Sequence, residues 1–340
     1  MAKKRIAING FGRIGRIVLR IYLTQPELFD FEVVMVNTPG DPESIRYLLT
    51  YDSTHGVFEK QLTLDGSYLC VDQRRIVLTQ QKEVNEDFWQ RYEIDWVMDC
   101  SGICRDKEAA MKHIHAGAKK VLLASPAKQV DKTIVFGVNQ HTLDPRDQVI
   151  SCASCTTNCL APIASILHKA YGIESGFMTT VHAYTSDQAL VDRRHKDFRR
   201  GRSAGQSIVP TSTGAANSIG LILPELQGKL KGYALRVPTE NVSLLDLNVN
   251  LSKSIESEQI NQLMQHHSQT DYRGIVEVNT QPLVSVDFLQ SPASAIFDAT
   301  QTEVYDRTAK IVAWYDNEWG YASRMLDMAQ YIQESELAHV

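Results

Sequence analysis

The run Arg5-Ile6-Ala7-Ile8-Asn9-Gly10-Phe11-Gly12-Arg13-Ile14-Gly15-Arg16 restricts the fold more than any other stretch of the chain. A short apolar strand leads straight into G-x-G-x-x-G, and Ile14, Val18, Leu19 and Tyr22 then mark one face of a helix. Glycines at that spacing allow a tight turn and a close backbone approach to a diphosphate. The diphosphate would rest on the helix N-terminus, where unpaired N–H groups and a partial positive charge meet it. A second strand, Phe31-Glu32-Val33-Val34-Met35-Val36-Asn37, completes a βαβ unit of about 30 residues.

Alternation continues to about residue 150. Strands are expected at Trp96–Cys100, Lys120–Ala124 and Thr133–Gly137, with helix between them, as from Lys107 to Ala116. Beyond that point the pattern changes. Leu245–Leu251 alternates apolar and polar residues strictly, as an antiparallel strand with one covered face does. Pro282–Phe288 and Ala309–Tyr315 are read as further strands. The fold class is therefore α/β: a Rossmann-type doubly wound parallel sheet, followed by an α+β domain on a mostly antiparallel sheet. We place the dinucleotide-binding domain at 1–154 and the catalytic domain at 155–320, with a C-terminal helix over 321–340 packing back on the first.

Composition narrows the class of protein. A chain of 340 residues exceeds one average domain, and a net charge of −5 gives no general affinity for nucleic acid or membranes. No apolar run approaches the ~18 residues of a membrane span. Lys3, Lys4 and Arg5 reach Gly10 too soon for a signal-peptide core. Six cysteines are too few for a disulfide framework and fit a reducing, cytoplasmic setting. Two C-x3-C spacings, 100/104 and 155/159, lack a matching His or Cys cluster, so no metal is expected.

The chemistry is expected at Ser151-Cys152-Ala153-Ser154-Cys155-Thr156-Thr157-Asn158-Cys159. Leu160, Ile163, Ile166 and Leu167 follow at helical spacing and Gly172 closes the segment, so Cys155 stands at a helix N-terminus. That end favours a thiolate, so Cys155 is expected to be more nucleophilic than a free cysteine. The hydroxyls of Ser154 and Thr156 would hold an anion at the same end. Cys159 is read as packing. A base is supplied by Thr179-Thr180-Val181-His182-Ala183-Tyr184-Thr185, where His182 closes a β-rich stretch. A cysteine hydrolase would use the same pair but would have no need of the nucleotide loop.

The segments INGFGRIGR, YDSTHG, ASCTTNC, TTVHAYT, PTSTGAA, LRVPT, NVSLLDL and WYDNEWGY together resemble the phosphorylating glyceraldehyde-3-phosphate dehydrogenase family along nearly the whole chain. The resemblance implies a homotetramer that oxidises a small phosphorylated aldehyde with inorganic phosphate and NAD or NADP. It implies Cys155 as nucleophile and His182 as base. Ser154, Thr156, Thr213 and Gly214 would hold the attacking phosphate, and Thr185 and Arg236 the phosphate already on the substrate. Gly10, Gly12, Arg13 and Ile14 match the diphosphate loop; Asn37, at the end of the second strand, would lie near the adenosine ribose with Thr38 beside it, and Ser101, Gly102 and Ser125, after later strands, would be further cofactor contacts. Asn317 would meet the nicotinamide carboxamide and Tyr321 would pack near that ring.

Several positions depart from the pattern. NAD-linked members usually carry an aspartate just after Asn37, which repels a 2′-phosphate; here Thr38 brings no charge. The loop Val191–Arg202 is basic, with Arg193 and Arg194 where NAD-specific members commonly have Gly-Pro or Leu-Pro, and in the family it reaches a neighbouring subunit's cofactor. Both changes point toward NADP. Asp187, beside the substrate-phosphate residues, is expected to turn away or pair with an arginine. Cys152 stands where asparagine is usual. Erythrose-4-phosphate dehydrogenase is the near alternative, but His182-Ala183-Tyr184-Thr185 and Ser212–Ala216 favour the three-carbon substrate. Binding of RNA or a protein partner through the basic loop would be a secondary role.

Overall fold

In the computed structural model, which describes residues 3–338, the chain divides into two compact units. The first comprises residues 1–136, 140–153 and 322–340; the second comprises 137–139 and 154–321.

The first unit is built on a nine-stranded sheet. Lys4–Asn9 lies between Phe31–Asn37 and Trp96–Asp99, parallel to both. Lys120–Leu123 and Val149–Ser151 extend the sheet on the Trp96 side; Arg74–Thr79 and an antiparallel pair, Tyr68–Val71 and Leu62–Asp65, extend it on the other. Strand order thus reverses at Lys4–Asn9, the place where open α/β sheets bind ligands beyond the carboxyl ends of their strands. The near-continuous apolar character of these strands follows from cover on both faces: Ile6, Ala7, Ile8, Trp96, Val97 and Met98 are all fully buried. The helix Trp319–Ala338 begins in the second unit and runs into the first, where Gln330 bonds Asp30 and Glu336 pairs with Lys4.

The second unit carries an eight-stranded sheet in which antiparallel pairings predominate. Ile173–Ala183 runs parallel to Leu230–Val237 and antiparallel to Ser243–Leu251, which pairs in turn with Thr308–Tyr315. In Ser243–Leu251 the alternating residues Leu245, Leu247, Val249 and Leu251 are buried, as the sequence pattern requires. Beneath the sheet lies the helix Cys155–Tyr171, almost wholly buried from Thr156 to Leu167 and ended by Gly172 at φ +68°.

Two expected strands differ. Pro282–Phe288 contains a 3-10 turn over Ser285–Phe288 instead. Asp287 accepts a hydrogen bond from the Val284 N–H, Phe288 stacks on Trp314 at 5.3 Å, and Val284 and Val286 face solvent. Thr133–Gly137 pairs only at Lys132–Thr133 before the backbone turns at Gly137, φ +90°.

Candidate active site

The diphosphate loop is built by three glycines with different jobs. Gly10 has φ +88°, and a side chain there would meet the Ser101 backbone at 2.5 Å. Gly15 packs so closely that a Cβ would lie 2.3 Å from the Gly10 carbonyl oxygen. Gly12 has nothing within 4 Å of its Cβ position. It is the N-cap of Arg13–Thr24, with no side-chain cap and no acidic residue in the first turn. A cradle open at Gly12 and lacking negative charge suits a dinucleotide diphosphate. Gly10→Ala should cost more than about 3 kcal/mol, from strain at positive φ plus a backbone clash. Urea unfolding monitors this, and an unchanged midpoint would refute the packing.

Around that cradle, side chains anticipated as direct cofactor contacts are engaged elsewhere. Asn37 uses its whole amide: Nδ2 donates to Asn9 Oδ1 and the Gln81 carbonyl, while Oδ1 accepts from Thr79 Oγ1 and the Gln81 N–H. Asn37 therefore shapes the strand ends and has no amide hydrogen left for a ribose. Arg13 is held by Asp52 at 2.5 Å. Ser101 Oγ donates to Asp99 at 2.7 Å, and Ser125 Oγ to the Cys104 carbonyl. Gly102 has φ +69° with open space at its Cβ, and Thr38 is half-buried.

Asp99 is the hub of this edge. It accepts from Asn9 Nδ2 and from the Ser101 N–H and hydroxyl, and it faces His113 Nε2 at 3.2 Å. Asp99, Cys104 and His113 also form a group of potential metal ligands. Trp89 Nε1 donates to His113 Nδ1 at 3.1 Å, which leaves the hydrogen on Nε2, directed at Asp99. That tautomer makes a buried relay and leaves no lone pair for a metal. Burial and Asp99 push Cys104 up to about 12.

In the second unit, Ser154 caps the helix, accepting from the Thr157 N–H, and Cys155 is the first helical residue. Ala153 at φ +57° makes the sharp entry. Cys155 Sγ lies 3.5 Å from His182 Nε2, carried on the penultimate residue of Ile173–Ala183. Arg236, opposite His182 on the parallel neighbour strand, brings Nη1 to 2.7 Å from His182 Nδ1 and donates to the Ala183 carbonyl at 2.9 Å.

Electrostatics correct one expectation. Burial raises the Cys155 thiol above its ordinary value; Arg236 and hydrogen bonds from Thr156 pull against that without overcoming it. Helix position alone therefore does not hold a thiolate. His182 falls to about 3, because burial and then Arg236 oppose an imidazolium. Burial thus opposes charge on both members of the pair. Cys159 and Cys152 are buried, and desolvation holds both thiols protonated.

Thr156 also differs from expectation. Its hydroxyl is buried against Tyr315 Oη at 2.9 Å, and Tyr315 Oη meets Thr180 Oγ1 at 2.7 Å. The inward hydroxyl tethers the first helical turn to the sheet while also favouring the charged form of the neighbouring Cys155 thiol. Ser154 and Thr213 are half-buried, and Gly214 is the exposed N-cap of Ala215–Ile222. Thr185 is half-buried two residues beyond the strand that carries His182. Asn317 is buried, its Oδ1 accepting from Ser243 Oγ, which accepts from the Ala183 N–H. Tyr321 is buried in the last helix. Asp187 pairs with Arg200 Nη1 at 2.8 Å, while Arg200 Nε donates to Thr211. The arginine expected to pair with Asp187 is thus Arg200; Tyr315 was not singled out from sequence, because it lies inside a segment whose pattern reads as strand.

Residues 4–107 match the family profile described as "Glyceraldehyde 3-phosphate dehydrogenase, NAD binding domain", and residues 154–317 match its "C-terminal domain". The chain is 47% identical to the chromosomal glyceraldehyde-3-phosphate dehydrogenase of Cupriavidus necator, over 96% of this chain and 97% of that protein. It is 48% identical to the Pseudomonas aeruginosa enzyme, over 96% and 97%, and 46% identical to that of Geobacillus stearothermophilus, over 98% and 99%. The chain belongs to the glyceraldehyde-3-phosphate dehydrogenase family. Within a glyceraldehyde-3-phosphate dehydrogenase fold, the Cys155–His182–Arg236 cluster lies in the region matched by the C-terminal domain, and the glycine cradle in the region matched by the NAD binding domain.

Proposed function

We propose that the chain oxidises D-glyceraldehyde 3-phosphate with inorganic phosphate and NAD(P)+ to 1,3-bisphosphoglycerate. The single observation that carries this is the 3.5 Å approach of Cys155 Sγ to His182 Nε2 beside the Arg236 guanidinium. Cys155 attacks the aldehyde carbon to give a hemithioacetal, and His182 takes the hydroxyl proton. The bound nicotinamide supplies the hydride acceptor. Loss of hydride leaves a thioester on Cys155, which inorganic phosphate cleaves, returning the sulfur. Arg236 and Thr185 hold the substrate phosphate; Ser154, Thr213 and Gly214 hold the attacking one, with small hydroxyls and N–H groups suited to it. Asn317, with its oxygen fixed by Ser243, keeps its amide NH2 as donor for the carboxamide. Initial rates with glyceraldehyde 3-phosphate and erythrose 4-phosphate, with and without phosphate, test the reading. Faster oxidation of the four-carbon sugar, or no phosphate dependence, would replace it.

NADP acceptance is the second reading, favoured by uncharged Thr38 and by exposed Arg193 and Arg194. Arg193 donates to the Asp187 carbonyl, whereas Arg194 has no partner among the described residues. Removing both arginines should lower kcat/KM for NADP about tenfold more than for NAD. A wild-type enzyme strongly preferring NAD would end this reading.

We also propose a homotetramer. Phe177 and Tyr233 on adjacent strands are 68% and 48% exposed, and Leu190, Val191, Phe198 and Ile208 crowd the basic loop with apolar surface. Sedimentation measures this directly. No helix among the described residues is long and apolar enough to cross a membrane. Six free cysteines fit the reducing cytoplasm.

A further inference from the structure

The side-chain hydrogen bonds along the strand ends of the first unit all run toward one carboxylate. The Gln81 N–H and the Thr79 hydroxyl donate to Asn37 Oδ1. Asn37 Nδ2 donates to Asn9 Oδ1 at 2.8 Å, and Asn9 Nδ2 donates to Asp99 Oδ2 at 2.7 Å. From the other side, Trp89 Nε1 donates to His113 Nδ1, and His113 Nε2 donates to Asp99 Oδ2. Neither end permits the reverse assignment. A backbone N–H and an indole N–H only donate, and a carboxylate only accepts. Each amide and the imidazole between them therefore has one arrangement, and the belt terminates at Asp99.

Asp99 uses both of its oxygens fully. Oδ2 takes Asn9 and His113, and Oδ1 takes the N–H and the hydroxyl of Ser101. Burial alone would raise this carboxyl, but the bonds from His113, Asn9 and Ser101 hold it below its ordinary value. Ser101 is where the belt meets the cradle. A Cβ on Gly10 would sit 2.5 Å from Ser101 N and Cα, so the two backbones are in close contact. The Ser101 hydroxyl also accepts from the Ile103 N–H, closing a turn through Gly102 at φ +69°. The turn beside the first cradle glycine is thus folded on one carboxylate. An amide in its place could serve Ser101 or the Asn9–His113 pair, but not both.

We infer that Asp99 is a positioning residue for the dinucleotide: as common acceptor of four hydrogen bonds, it sets the direction of the strand-end belt and holds the Ser101–Ile103 turn against Gly10. This rests on the reading of the glycine cradle as the cofactor's diphosphate site. No group of the belt reacts. Its contribution is a cradle already in its binding shape, so that the ligand need not supply the free energy of ordering it. A carboxylate beside an anion site by itself opposes binding, so geometry and charge predict opposite effects of removing it.

Calorimetric titration of the full-length protein, freed of cofactor, tests this. The probe is adenosine diphosphate ribose, which carries the diphosphate but no nicotinamide. Asp99→Asn should raise its Kd about tenfold or more. Adding Asn9→Asp to that variant restores an acceptor facing a donor between positions 9 and 99 and keeps the acceptor for Asn37. The pair should recover about half of the loss on a logarithmic scale, whereas two merely destabilising changes would add. His113→Phe removes one donor and should raise Kd about threefold. His113→Gln can still accept from Trp89 and donate to Asp99, and should stay within about twofold of wild type. The two His113 variants decide the matter if Asp99→Asn does not fold. Asp99→Asn binding as well as wild type, or more tightly, overturns the inference and leaves the cradle intact. So does a double variant weaker than the single one, or equal affinities in the two His113 variants. No binding to wild type overturns the cradle reading as well.

Discussion

Replacing Cys155 with serine should lower kcat for aldehyde oxidation by about 10^4-fold or more. The change swaps one atom, but that atom must bear negative charge in a site that resists it. Desolvation already raises the thiol, with Arg236 and Thr156 opposing only in part. A hydroxyl starts far higher, and His182, lowered to about 3, is too weak a base to compensate. Oxygen in place of sulfur would also yield an ester, which phosphate cleaves less readily than a thioester. Cofactor affinity should stay within about twofold of wild type, because the residues of the glycine cradle are untouched. Rapid-mixing measurement of NAD(P)H formation and mass spectrometry of the acyl-enzyme decide the matter. A serine variant keeping more than about one hundredth of wild-type turnover would mean that this sulfur is not the nucleophile.

Where a feature depends on backbone geometry or a local end signal, the sequence was enough to locate it. Gly10 and Gly15 were legible because positive φ and close packing exclude a side chain, and Gly12 as the uncapped start of the helix, open at its Cβ position. Cys155 at the first helical position and His182 near a strand end were legible from periodicity. What escaped depends on partners distant in the chain. The direction of the Thr156 hydroxyl is set by Tyr315, 159 positions away. The saturation of Asn37 requires Thr79 and Gln81, which no spacing rule connects to it. The raised thiol at Cys155 comes from tertiary burial, which outweighs the helix end that the local sequence announces. Pro282–Phe288 has strand-like alternation, yet its two exposed valines have no sheet to cover them.

His182→Asn should divide activity from stability in opposite directions. Removing the base lowers kcat by about 10^2 to 10^4-fold. Stability at acid pH should improve, for a reason visible in the folded state. His182 is buried and falls to about 3, while in the unfolded chain it titrates near 6.5. Between those values the unfolded chain binds a proton that the folded chain refuses, so this site costs stability as pH falls through 6.5 toward 3. The loss is about 1.4 kcal/mol per pH unit, or about 2 kcal/mol at pH 5 relative to pH 7.5. Asparagine does not titrate and escapes it. The rest of the chain is common to both proteins, so comparing wild type with variant isolates the site. Urea unfolding at pH 7.5 and 5.0 gives the difference. Equal acid losses in the two proteins would place His182 in contact with water or a counter-charge, and the lowering of this imidazole by burial would then fall.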